Sequence, residues 1–390
     1  MRRFFFAAVL SALALAGLRA AGDAPLPDGL YAEFDTAHGA VIAELYYRQT
    51  PLVCGSFVGL AEGAIAPRNG HPFFTGLRWY RVVPDFVIQS GDPTNPGGGI
   101  QDRPPQKPED EAAGHPYNFP DEIVPGLHHD AAGVLSMANA GPDTNSSEFF
   151  ITLRDTNRLN YLHSVFGRVV RGVELLSAIK QDEPFSIKIL RIGAEAKAFD
   201  ASEAALKSRM SAARKYGGPA EPGPTAFFDD ADKLLPQDVP RAKNFNFKLA
   251  NYARFGGRTI QARLYAKFVP ATPGQTPEDA ALVLARQAGA VDEGAIVSYY
   301  KDGDRWNLRI GDRWLARFAG HEGTRETLQS DGSLTGAENA FFAEARKRAA
   351  ETADRLRTQG RTINDSDLLK LTVDEVLDGL ILLYEPSKTP

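Results

Sequence analysis

The sequence predicts a mostly β unit followed by a separate α/β unit, on three observations. Between Gly29 and Gly193, short apolar and β-branched runs are broken at close intervals by Gly, Pro, Asn and Asp, the pattern of a closed barrel or sandwich rather than a doubly wound sheet. From about Thr225, strand-like and helix-like segments take turns, which reads as a compact α/β domain. Between them GGPAEPGP, Gly217 to Pro224, has the composition of a linker. The length of 390 residues suits this division, because one hydrophobic core seldom organises more than ~250 to 300 residues.

Met1, Arg2 and Arg3 precede a mostly apolar run, Phe4 to Leu18, that ends on Ala20, Ala21 and Gly22. Residues 1–22 therefore read as a secretory signal peptide, cut after Ala20 or Gly22. The remaining chain is expected to be exported, periplasmic or extracellular, with no membrane span after cleavage. Tyr31 to Tyr47 alternates about His38 and Gly39 as a hairpin, with Phe34, Val41, Ile42 and Leu45 as core candidates. Pro51 opens a helix with Val53, Phe57, Val58 and Leu60 on its apolar side. The one cysteine, Cys54, lies in that helix and reads as a small buried hydrophobe. Strands are expected over Arg78 to Gln89, Val134 to Ala138, Glu148 to Leu153, His163 to Val169 and Ser186 to Gly193, with a helix over Val173 to Lys180. Asp200 to Glu203 looks like a capping box, so residues 199–224 hold a helix through Leu206, Met210 and Ala213 and then the linker.

The second unit, residues 225–386, is expected to contain a strand in RTIQARLYAKFV, a helix from Pro277 ending on Gly289, and a hairpin turning at Asp302 and Gly303. A long amphipathic helix is expected over Glu338 to Thr358, and Thr372 to Glu375 reads as the cap of a last helix through Leu380 to Leu383. Tyr299, Tyr300, Trp306 and Trp314 fit a core more readily than a ligand-facing patch.

The net charge of −5 and the lack of any basic run make nucleic acid a poor partner. Gly97 to Gly99 lacks the lysine and helix of a phosphate loop, and His128, His129 and Asp130 suggest a metal site by composition but are read as turn residues on the resemblance given below, so neither a metal nor a cofactor is expected. The stretch Val134 to Thr152, VLSMANAGPDTNSSEFFIT, is more informative. Two buried strand-like runs flank a polar loop too long for a tight hairpin, and loops held between rigid elements are where binding residues tend to sit.

Together with WYRVVPDFVIQSGDP, LNYLHSVFGRVVRGVELL, TPLVCGSFVGLAEG and NFPDEIVPGLHHDAAG, that stretch resembles the cyclophilin family of peptidyl-prolyl cis-trans isomerases over residues 29–194. The resemblance implies an eight-stranded antiparallel barrel capped by two helices, with a groove on its outer face for proline-containing unfolded or extended polypeptides. It implies Arg81 as the catalytic donor and Gln89 as the amide that steadies it. Phe86, Val87, Phe150, Leu159 and His163 match the proline pocket, and Ala138, Asn139 and Ala140 match a wall of the groove. Glu148 stands beside the groove where glutamine is usual, and a carboxylate there is expected to pair with Arg81. The alternative reading is accordingly a cyclophilin-like peptide-binding or chaperone module with weak or no isomerase activity. Tyr80 replaces a usual histidine, a change given little weight, and Val87 a common methionine. Arg158 stands where many eukaryotic members carry a tryptophan that helps bind cyclosporin, so weak cyclosporin binding is expected. Ile100 to Pro116 is longer than the corresponding family loop. The second unit is faintly similar to the TPM domain, and no residue is carried across.

Overall fold

The computed structural model describes residues 24–68, 70–94, 118–213, 222–237 and 241–385. Residues 1–22, read as a signal peptide, the Ile100 to Pro116 stretch and most of the expected linker lie outside the described residues.

Strands β1 (Gly29–Thr36) and β2 (Gly39–Leu45) form the hairpin about His38 and Gly39. Successive strand residues face opposite ways, so Val41, Ala43 and Leu45 enter the core while Ile42, a core candidate by composition, is half-buried on the other face. Helix α1 (Pro51–Glu62) is buried along nearly its whole length, with Phe57 against Phe74, Phe149 and Phe166. The single strand expected over Arg78 to Gln89 is instead a tight hairpin, β3 (Arg81–Val83) and β4 (Val87–Ser90). Pro84 cannot donate to a ladder, and Asp85 takes the left-handed conformation at φ 54°, so the chain turns there.

Four further strands, β5 (Val134–Met137), β6 (Phe149–Thr152), β7 (Val165–Arg171) and β8 (Phe185–Ile192), complete an antiparallel sheet in the order β3-β4-β6-β5-β7-β2-β1-β8. Its ends meet where Arg78 bridges Pro184 and the Trp79 N–H donates to the Glu183 carbonyl at 3.1 Å. Phe34, Trp79, Phe149 and Phe185 fill the interior that this closure creates. The second expected capping helix is only a short 3-10 segment, Val173–Ala178. After the barrel, α2 (Glu203–Ala212) is capped by Ser202, which accepts from the Ala205 N–H at 3.2 Å, while Asp200 holds the Ser202 N–H.

The second unit is built on a mixed sheet, β12-β11-β10-β9, with β9 (Phe228–Asp230), β10 (Ile260–Tyr265) and β11 (Ala295–Tyr300) parallel and β12 (Arg305–Ile310) antiparallel. Every residue of β11 is buried, as helices on both faces of a sheet require. Helix α4 (Pro277–Gln287) covers Ile296 with Ala281 and Ala285. Helices α3 (Arg241–Asn251), α5 (Ser333–Thr358) and α6 (Asp365–Tyr384) pack on the opposite face. Helix α6 starts a full two turns earlier than expected, because Asn364 and Asp367 form the capping box and Thr372 lies inside the helix. Tyr299 and Tyr300 are core, and Trp306 stacks on Phe342. Among the described residues, no helix is long and apolar enough to cross a membrane.

The two units share a buried polar seam. Lys248 on α3 is fully buried, forms an ion pair with Asp378 on α6, and lies 3.5 Å from the carbonyl oxygen of Arg158 in the first unit. Tyr161 of the first unit donates to Glu385, and its ring meets Tyr252 edge-on at 5.1 Å. His128 Nε2 approaches the other Glu385 oxygen at 2.6 Å. Removing one partner of a buried pair leaves an uncompensated charge and typically costs ~3–5 kcal/mol. Lys248→Ala is therefore expected to destabilise the protein by about that amount, and Lys248→Met combined with Asp378→Leu by much less. Urea unfolding of the three proteins checks the difference.

Candidate active site

Cross-strand register places four residues in one row on the outer face of the barrel. Arg81 on β3 pairs with Gln89 on β4, Gln89 with Phe150 on β6, and Phe150 with Ser136 on β5. Their strand neighbours Ile88, Phe149, Ile151 and Leu135 point into the barrel core. Phe150 and Val87 are buried without belonging to that core, so both line the outer face.

Gln89 is the centre of the row. Its Oε1 accepts from Arg81 Nη1 at 3.0 Å, while its Nε2 donates to Glu148 Oε2 at 2.9 Å and to the Tyr80 hydroxyl. Tyr80 in turn donates to Glu148. Burial first, and then the Glu148 charge, push the Tyr80 phenol up from its ordinary value, so it stays protonated and able to donate. Glu148 thus corrects the expectation of a direct pair with Arg81, for its carboxylate bonds Tyr80 and Gln89 and acts on Arg81 only through its charge. An ionised carboxylate only accepts, so it draws the Gln89 NH₂ toward itself and turns the Gln89 oxygen to Arg81. Two of the departures from the family pattern, Tyr80 and Glu148, bond to each other.

An aromatic cluster continues the site. Two guanidinium groups contact the Phe86 ring, Arg81 at 5.8 Å and Arg158 at 4.3 Å from its centroid. Phe150 meets His163 edge-on at 5.5 Å and stacks on His129 at 5.7 Å. The His163 Nδ1 lies 3.0 Å from the Met137 carbonyl, and burial lowers its pKa to about 4. His129 is fully buried between Asn160 and Ser136, with its pKa lowered to about 3 by burial. Both of its ring nitrogens are engaged within the protein, and the described residues contain no cluster of three groups able to hold a metal. Leu159 is half-buried in the 3-10 turn Asn157–Leu159, beside Arg158.

Three hydrogen bonds hold the ANAG segment. The Ala138 N–H donates to the Glu148 carbonyl at 3.0 Å, the Ala140 N–H to Thr144 at 2.9 Å, and Asn139 Nδ2 to the Leu162 carbonyl at 2.9 Å. The Asn139 backbone N–H and C=O take no partner among the described residues. Gly91 lets the chain pass close behind, since a Cβ there would sit 2.2 Å from the Ser147 carbonyl oxygen. The second unit grips this loop as well. Arg254 donates to both oxygens of Asp143, at 3.0 and 3.1 Å, and Asp143 and Asp121 exchange bonds with each other's backbone N–H groups. Asn251 donates to Asp121 and to the Tyr161 carbonyl, and burial pushes the Asp121 carboxyl up to about 6.

Tyr80, His129 and Asn160, with the second-unit residues Arg254 and Asn251, are the contributors that sequence reading missed. Their partners lie as far as 130 residues away, as in Asn251 with Asp121, or 111, as in Arg254 with Asp143, and no local period encodes such pairings.

Residues 31–194 match the family model for "Cyclophilin type peptidyl-prolyl cis-trans isomerase/CLD". The mouse protein "Peptidyl-prolyl cis-trans isomerase-like 1" is 37% identical over 172 residues, covering 42% of this chain and 91% of the mouse one. "Peptidyl-prolyl cis-trans isomerase ppi1" of Schizosaccharomyces pombe is 43% identical over 143 residues, covering 37% and 80%. A solved cyclophilin-type isomerase of Cryptosporidium parvum, in the presence of the dipeptide Ala-Pro, is 29% identical, with a TM-score of 0.32 and coverage of 42% of this chain and 99% of that one. Matches of this extent to an isomerase barrel make the chain a member of the cyclophilin family, and it is a peptidyl-prolyl cis-trans isomerase.

Proposed function

We propose that the chain accelerates X-Pro isomerisation in exported polypeptides as they fold, with Arg81 as the catalytic donor. The single observation that carries this reading is the row Arg81, Gln89 and Phe150 beside His163, with Gln89 holding the guanidinium in place.

An X-Pro bond crosses a barrier of about 20 kcal/mol because amide resonance is lost in the twisted state. In that state the prolyl nitrogen becomes pyramidal and carries its own lone pair. A donor that meets this lone pair acts on the transition state more than on the ground state, and no covalent step is needed. Arg81 is always charged, its fork is rigid, and Gln89 fixes one arm so that the others remain for substrate. Phe86, Val87, Phe150, Leu159 and His163 supply the apolar seat for the ring. An extended peptide pairs with the open backbone groups of Asn139, as strand addition at a sheet edge requires, and Ala138 and Ala140 flank that edge. With the peptide gripped on one side, the other side rotates. The exported setting rests on the charged and apolar pattern of residues 1–22, and Edman sequencing of the secreted product tests it.

Arg81→Ala is expected to lower kcat/KM on a short Ala-Pro peptide by about a hundredfold to a thousandfold, as loss of one preorganised donor typically does. Glu148→Gln should change it by less than about tenfold, because the carboxylate orients Gln89 and does not cap Arg81. Exchange NMR with both variants measures this, and a rise of tenfold or more in Glu148→Gln would favour the peptide-binding module instead.

With its pKa near 4, the His163 imidazole is neutral throughout the physiological range. Its NMR shifts should stay constant from pH 8 to 5 and move only as pH falls through about 4, where protonation would put a cation beside the apolar pocket. An inflection near 6.5, the ordinary histidine value, would show the ring solvated and the pocket open. Cyclosporin is expected to bind weakly because Arg158 places a charge over Phe86; a competition assay giving submicromolar inhibition contradicts this.

A further inference from the structure

A cleft of about 290 Å³ lies where the two units meet, and Phe86 forms part of its wall. Pockets of ~300 to 1,000 Å³ hold small ligands, so this one accepts one or two side chains rather than a folded surface. Its cations outnumber the carboxylates that neutralise them. Arg154 is paired with Asp155, Arg348 with Glu344 and Lys370 with Asp374. Arg158 on the first unit and Arg241 and Arg361 on the second have no ion pair among the described residues, while Arg355 donates to the Thr352 hydroxyl and feels the charges of Asp155, Asp85 and Glu351. Arg158 feels the positive charges of Arg241, Arg154 and Arg361, opposed by Asp374, which Lys370 already holds. Of the acidic wall residues, Asp85 accepts from Gln359 and Asp367 is committed to the α6 cap. Burial, reinforced by Asp378 and Asp374, pushes Glu375 up to about 7.

Like charges held together around a concave surface repel one another and are relieved by an anion. The cleft borders the proposed proline pocket at Phe86, whose ring centroid lies 5.8 Å from the Arg81 guanidinium and 4.3 Å from that of Arg158. A polypeptide with its proline against Phe86 would run into the cleft within a few residues. We infer that the cleft between the units is a second subsite of the substrate groove, which binds an Asp or Glu side chain near the proline through Arg158, Arg241 and Arg361. This rests on the reading that Phe86 borders the proline pocket.

The test uses the full chain and a set of Ala-Pro peptides with Glu, Gln or Lys at each position from three before to three after the proline. At one position, Glu should raise kcat/KM over Gln by about tenfold, the effect of one charge-assisted hydrogen bond net of solvent, and Lys should lower it. In the Arg241→Gln, Arg361→Gln double variant the Glu-to-Gln ratio should fall close to one. The ratio is unaffected by a loss of folded protein, which lowers both rates alike. Turnover that is equal across the whole set overturns the subsite and leaves the isomerase reading intact. If no peptide is turned over, the isomerase reading fails and fluorescence anisotropy of the same peptides decides the subsite. A Glu-over-Gln preference in affinity that the double variant loses supports it, and equal affinities overturn it.

Discussion

A buried ammonium group sets the relation between the two halves of this molecule. Lys248 has given up its water, and its charge is balanced by Asp378 and directed toward the Arg158 carbonyl. A desolvated charge of this kind tolerates little displacement, because any gap leaves it unpaired in a medium of low polarity. The second unit is thereby seated against one short stretch of the first, residues 157 to 162, which also carries Leu159 and Tyr161. Arg254 and Asn251 extend the seat to Asp143 and Asp121, on the far side of the groove wall. The isomerase barrel and its neighbour are joined at the loops that build the site, not along the strands that build the core.

Within the barrel, division of labour follows the pleat of the sheet. Inward residues, Phe34, Phe149, Ile151 and Trp79, make a closed aromatic interior, and outward residues on the same strands make the site. The chemistry needs no mobile group. Gln89 has every polar atom of its amide engaged, and the identity of each partner dictates which end faces Arg81. A donor whose orientation is settled before substrate arrives has no reorganisation to undergo at the top of the barrier.

The barrel was largely legible in the sequence because long runs resemble one family in register, and because the alternation in Tyr31 to Tyr47 and the apolar runs at Val134 and Phe149 are strong local signals. What failed was local in another sense. The turn at Asp85 depends on one residue in a left-handed conformation inside an apolar run, and the true cap of α6 at Asn364 competes with an equally good capping pattern at Thr372. Arg81, Gln89, Phe150 and His163, named from the resemblance, are brought together by the folded sheet. The role of Glu148 was not legible, because Tyr80 lies 68 residues away and only the folded sheet brings their oxygens together. The contribution of the second unit was hidden for the same reason, with Arg254 and Lys248 acting across 111 and 90 residues.

The stretch from Asn157 to Tyr161 serves two masters, since the Arg158 guanidinium lies over Phe86 while the Arg158 carbonyl and the Tyr161 hydroxyl hold the neighbouring unit. Shared residues make the two equilibria thermodynamically reciprocal: whatever free energy the docked unit lends to the shape of the pocket, a bound client returns to the docking. Pulling the halves apart is then work done against substrate affinity, and a client in the groove acts as a clasp between them.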